Sequence, residues 1–122
     1  MKKILLIEPN EVIRSTLVEL MTLEGFEIVA TENGQIGLQL ATELTPDLII
    51  SDINLPCLNG CEILKYLRAN FLTANIPFIF LTAESRGRKR YHALELGAND
   101  YLIKPVEYEK LLEAIATQLS NN

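Results

Sequence analysis

Short apolar runs and longer segments of helical spacing take turns along the chain. Residues 4–7, 28–30, 48–50 and 78–81, with a weaker run at 101–103, read as five strands. Most are continuously apolar instead of alternating, which suits strands covered by helices on both faces. Between the first two runs, Val12, Ile13, Leu17, Leu20 and Met21 are expected on one helical stripe, with Asn10 as N-cap and Gly25 as the stop. Residues 35–44 follow Asn33-Gly34, gather Ile36, Leu40, Ala41 and Leu44, and end before Pro46. A third helix at 61–69 turns Ile63, Leu64 and Leu67 to one side, a fourth at 88–96 stops at Gly97, and a fifth at 107–119 carries Leu111, Leu112, Ile115 and Leu119.

Strands alternating with helices through short connections require right-handed crossovers and a parallel sheet. The pattern predicts an α/β fold, a flavodoxin-like, doubly wound sheet of five strands in the order 2-1-3-4-5, flanked by five helices. The chain then changes direction between strands 1 and 3, and the crevice there is where a site is expected. A length of 122 residues with 48% hydrophobic content supports one core and therefore one domain, residues 1–122. No repeat, low-complexity stretch or internal linker interrupts it. The polar tail at 120–122 reads either as a natural end or as the start of a linker.

The net charge of -5 argues against broad attraction to nucleic acid or an anionic membrane, and leaves other proteins or small ligands as partners. Lys2 and Lys3 imitate the basic start of a signal peptide, but the apolar run behind them stops at Glu8. Nowhere does the chain reach the roughly 18 apolar residues of a membrane span, so a soluble cytoplasmic protein is expected. Cys57 and Cys61 read as free thiols, because His92 is the only histidine and a zinc site needs about four ligands.

The chemistry collects where the strands end. Strand 1 runs into Glu8, strand 3 into Ser51-Asp52, strand 4 into Thr82 and strand 5 into Lys104-Pro105. Taken singly, each is an ordinary loop or capping residue. Together they bring two carboxylates, a hydroxyl and an ammonium to neighbouring points of one sheet edge. That set suits phosphoryl transfer to a carboxylate: Asp52 as nucleophile, Lys104 and Thr82 facing the transferred oxygens, and a hard cation such as Mg2+ on carboxylate and carbonyl oxygens. The segment Glu8-Pro9-Asn10-Glu11 offers no glycine- or hydroxyl-rich phosphate cradle, which disfavours a flavin or nucleotide site.

At these residues the chain resembles the response-regulator receiver family. The resemblance rests on the stretch from Asp47 through Asp52 to Pro56 with Asn59-Gly60, on Leu81-Thr82-Ala83, and on the stretch from Gly97 through Tyr101 to Lys104-Pro105. It implies that Asp52 accepts a phosphoryl group from a sensor histidine kinase or a histidine phosphotransfer protein. It implies further that Glu8, Asp52 and the Asn54 carbonyl hold Mg2+, that Thr82 and Lys104 meet the acyl phosphate, and that the Lys104-Pro105 bond is cis. Tyr101 matches an aromatic that changes burial on activation, and the Asn54 and Glu84 side chains match positions that tune the lifetime of the phosphate. The implied protein is a signalling switch with no separate metabolic substrate, acting through a homodimer or an output protein on the face of helix 4, strand 5 and helix 5.

Two departures stand out. The family carries two adjacent acids after strand 1, and here the second is Pro9, with no side-chain oxygen; weak Mg2+ binding with slowed phosphorylation is expected, the rival being a pseudo-receiver that binds partners without being phosphorylated. Arg86-Gly87-Arg88-Lys89-Arg90 opens helix 4 with positive charge against the macrodipole. That run reads either as a solvated basic face or as a docking patch for an acidic partner.

Overall fold

Each apolar run becomes a parallel strand. The computed structural model describes residues 1–120, so residues 121 and 122 of the polar tail lie outside the described residues. The strands are β1 (Lys3–Ile7), β2 (Glu27–Thr31), β3 (Leu48–Ser51), β4 (Phe78–Thr82) and β5 (Asp100–Ile103). The helices are α1 (Glu11–Leu23), α2 (Gly34–Leu44), α3 (Gly60–Ala69), α4 (Gly87–Glu95) and α5 (Tyr108–Ser120). The sheet order is β2-β1-β3-β4-β5 with every pair parallel, as the alternation predicts.

Two cores explain why the central strands are continuously apolar. Leu5, Ile7, Ile49, Phe78, Phe80 and Tyr101 face α2, α3 and α4. The alternate residues Ile4, Leu6, Leu48, Ile50, Ile79 and Leu81 face α1 and α5. Because successive side chains point to opposite faces, a strand covered on both sides has no position left for a polar residue until it ends. Glu8, Asp52 and Lys104 each come directly after a strand, while Thr82 is the last residue of β4.

The helix starts follow the sequence. The Asn10 side chain accepts from Ile13 N at 2.9 Å, Asn33 from Gln35 N at 2.8 Å, and Asn59 from Glu62 N at 2.9 Å. Gly25 and Gly97 close α1 and α4 with φ of 99° and 106°. Two expected core positions are corrected. Val12 is 72% exposed and Ile36 49% exposed. Each sits five residues before a buried position, Leu17 or Ala41, which is about 140° round a helix of 3.6 residues per turn. The inner face of α2 is instead built of Gly34, Gly37 and Ala41; a Cβ on Gly37 would come within 2.6 Å of Ile7 Cδ1. Among the described residues no helix is long and apolar enough to cross a membrane.

Candidate functional site

The backbone that ends the strands also aims the site. Asp52 N donates to the Ile7 carbonyl at 3.0 Å, Glu8 N to Thr31 at 2.9 Å, and Lys104 N to Thr82 at 2.8 Å. These bonds fix three loop starts against neighbouring strands. The Lys104 ammonium then lies 2.8 Å from Asp52 Oδ2 and 2.8 Å from Glu8 Oε1, and donates to Glu8 Oε2 at 3.0 Å. Asp52 Oδ1 accepts from Ile53 N at 2.7 Å and Asn54 N at 3.3 Å. Glu8 is 1% exposed and Asp52 7% exposed.

Burial by itself works against the Lys104 ammonium, but hydrogen bonds and charge from Asp52 and Glu8 outweigh it and hold its pKa above the ordinary lysine value. The cation therefore stays charged, and one ammonium offsets two carboxylates that would otherwise repel each other. Asp52 presents its Oδ2 to that cation and anchors Oδ1 on two backbone N–H groups, which fixes its orientation.

Thr82 is fully buried at the end of β4. Its hydroxyl accepts from Glu84 N at 3.3 Å and makes no hydrogen bond to Asp52 or Lys104 here. Tyr101 is buried too, and its hydroxyl donates to the Glu84 carbonyl at 2.7 Å. Thr82, the Glu84 peptide and Tyr101 thus form a short polar chain from the site to β5. The Glu84 carboxylate is gripped by Arg86 through Nε at 2.8 Å and Nη2 at 3.0 Å. Hydrogen bonds from the Arg86 side chain and backbone hold its pKa down at about 2.

Several supporting residues have no obvious signature in the sequence. Arg14, one turn into α1, donates to the Glu8 carbonyl at 2.9 Å and the Pro9 carbonyl at 3.4 Å, pinning the loop that carries the first acid. The Asn33 side-chain amide reaches Cys57 Sγ at 3.1 Å and Gly34 N donates to the Pro56 carbonyl at 3.0 Å, so α2 begins docked on the loop after Asp52. Gly60 is buried under that loop, where a Cβ would strike the Asp52 carbonyl. Cys57 and Cys61 are free thiols, and the Lys104-Pro105 bond is cis.

A family model described as the response regulator receiver domain matches residues 4–116. The chain belongs to the response regulator receiver family. This receiver is 40% identical over 117 residues to the transcriptional regulatory protein HprR of Escherichia coli, covering 96% of the chain and 51% of that protein. It spans about half the length of the curated relatives it matches. Among solved structures, the chemotaxis protein CheY4 of Vibrio cholerae superposes with a TM-score of 0.90 at 29% identity, covering 98% of this chain and 99% of that one. The receiver domain of a sensor histidine kinase from Pseudomonas aeruginosa, which has a magnesium ion in its active-site cleft, does so with a TM-score of 0.90 at 28% identity and 98% coverage of both chains.

The donor set of this receiver fits such an ion in reduced form. Glu8 and Asp52, both against the Lys104 ammonium, are two hard carboxylates that would suit a cation that keeps several waters and needs one or two acids, with the Asn54 carbonyl as the further donor the resemblance implies. Pro9 adds nothing, and among the described residues no group of three or more His, Cys, Asp or Glu side chains could hold a metal.

Proposed function

We propose that this receiver is a phosphorylation switch whose acceptor is Asp52, and that residues 1–122 form a single such domain. The observation that carries the reading is the half-buried Lys104 ammonium, 2.8 Å from Asp52 and 2.8 Å from Glu8. A carboxylate oxygen of Asp52 attacks the phosphorus of a phosphohistidine on a sensor histidine kinase or a histidine phosphotransfer protein. The O–P bond forms, the N–P bond breaks, and its electron pair returns to the imidazole. Lys104 faces the incoming phosphoryl oxygens, and Thr82, on turning its hydroxyl from Glu84, donates to one of them. Glu8, Asp52 and the Asn54 carbonyl would hold Mg2+, which when bound would supply neutralisation of phosphoryl charge, and with Pro9 beside Glu8 that hold would be weak. Hydrolysis of the acyl phosphate returns Asp52, so the domain assists its own phosphorylation and dephosphorylation and turns over no separate metabolite.

Recruiting Thr82 disturbs its bond to Glu84, and through the Glu84 carbonyl the change reaches Tyr101 and the α4, β5 and α5 face. Tyr91, Leu94 and Ile103 are exposed apolar residues on α4 and β5, suited to a homodimer or an output protein; no direct contact with nucleic acid or membrane is part of the reading. A cytoplasmic location belongs to the same proposal. A second reading, a pseudo-receiver, is favoured by Pro9 and by the engagement of both Glu8 oxygens with Lys104.

Intact mass measured after incubation with acetyl phosphate at graded Mg2+, and separately with a phosphorylated histidine kinase, decides between them. One added phosphoryl group that disappears in Asp52→Ala is expected. No phosphorylated species from either donor at any Mg2+ concentration overturns the switch in favour of the pseudo-receiver.

A further inference from the structure

Between α3 and α4 lies an open groove of about 600 Å³ that starts at Asn54, beside the acceptor site, and passes Cys61, Lys65, Tyr66, Lys89 and His92. Its lining is net positive, with the two lysines set against the single carboxylate of Glu62. Neither Lys65 nor Lys89 makes an ion pair among the described residues. Glu62, the carboxylate in the groove, is already held by the Asn59 amide at 3.0 Å. The two ammoniums are near enough to Cys61 for their charge to act on its thiol, although burial has the larger effect and pushes it up.

This concentration runs against the molecule as a whole, whose net charge is -5. It also runs against the backbone. Lys89 lies in the first turn of α4 behind Arg86 and Arg88, where the exposed N–H groups favour anions, and Arg86 makes no side-chain cap hydrogen bond. Only Ala93 of α4 is buried, so the helix is lightly anchored and has most to gain from an anionic partner along its flank. Lys89 and His92, three residues apart, share a helix face turned toward α3, distinct from the surface that carries Tyr91 and Leu94. On the other wall Tyr66 is 62% exposed and presents an aromatic surface.

The groove is long and open, with cations spaced along it and an apolar wall, which suits a chain bearing several carboxylates better than a small anion needing enclosure. We propose that the groove between α3 and α4 binds an acidic segment of a partner protein, its carboxylates on Lys65 and Lys89 and an apolar side chain against Tyr66.

The test uses the whole chain and a fluorescein-labelled peptide alternating Glu with Leu, read by fluorescence polarisation. Binding should weaken with added salt, weaken by about tenfold or more in the double variant Lys65→Glu with Lys89→Glu, and be unchanged in Lys110→Glu, an equivalent reversal on α5. A peptide with Gln for every Glu should not bind, and the amide resonances that move in the unmodified protein should be those of the groove. The proposal is overturned if the Gln peptide binds equally, if the double variant retains full affinity, or if Lys110→Glu weakens binding as much. It is likewise overturned if the shifted resonances lie elsewhere, or if inorganic phosphate binds these lysines and the peptide does not.

Discussion

Lys104 must balance two carboxylates, and the neighbouring Pro9 decides how much of that balance is left for a metal. Restoring an acid with Pro9→Asp should strengthen Mg2+ binding by at least about tenfold, the scale of losses seen when metal-site support is removed. Titration calorimetry at fixed ionic strength checks this, and unchanged affinity would show that Glu8 and Asn10 already compensate. A second residue-scale prediction concerns Glu84. Its folded pKa of about 2 lies below the ordinary 4.5, so the stabilisation from its pairing is present above 4.5 and is lost as the pH falls through about 2. Arg86→Ala should raise the Glu84 pKa toward the ordinary carboxylate range, with the remaining backbone N–H of residue 86 keeping part of the depression, as followed by side-chain carbon resonances during an acid titration. Asp52, Thr82 and Lys104 were legible from position alone, because each marks the end of an apolar run. Arg86 and Arg14 were not, since the atoms they hold belong to loops whose conformation has no periodicity to read.

At the scale of elements, the side-chain cap at Asn10 was readable, as were the glycine stops, whereas the caps at Asn33 and Asn59 came from the structure. Faces were less so. Val12 and Ile36 are apolar and close to the expected stripes, yet a spacing of five carries them round to solvent, and Gly37 takes the inner place on α2 because Ile7 leaves room for nothing larger. Glycines therefore divide by surroundings. At Gly87 a Cβ meets nothing within 4 Å and φ is not positive, so Gly87→Ala should stabilise the protein by about 0.5–1 kcal/mol by favouring helical backbone in α4. Gly34→Ala should destabilise it, because the added carbon falls on the Leu58 carbonyl and would part α2 from the loop that follows Asp52. Urea denaturation of the two variants should move the midpoint in opposite directions.

Across the whole molecule, one side chain closes the end opposite the site. Arg68 of α3 donates to the Gly97 carbonyl at 2.9 and 3.2 Å, to Ile76 at 2.8 Å and to Asn99 Oδ1 at 3.0 Å. Asn99 in turn accepts from Phe78 N at 2.9 Å. The guanidinium ties α3 to the starts of β4 and β5, with carbonyl oxygens and no carboxylate as partners. Arg68→Ala should cost about 2 kcal/mol, the scale of hydrogen bonds to a charged group, and Arg68→Lys should recover little because an ammonium cannot reach the same fork of acceptors. Chemical denaturation gives both values. The sequence by itself determined the strand and helix alternation, the sheet order and the places of Glu8, Asp52, Thr82 and Lys104 at the strand ends, because burial on both faces forces continuous apolar runs and makes every polar interruption conspicuous. Tertiary structure alone decided which groups Lys104 meets, that Thr82 is engaged with Glu84, and that unpaired lysines from two helices share a groove. Those outcomes depend on loop paths and on side chains brought together from distant segments, where local periodicity carries no information about distance.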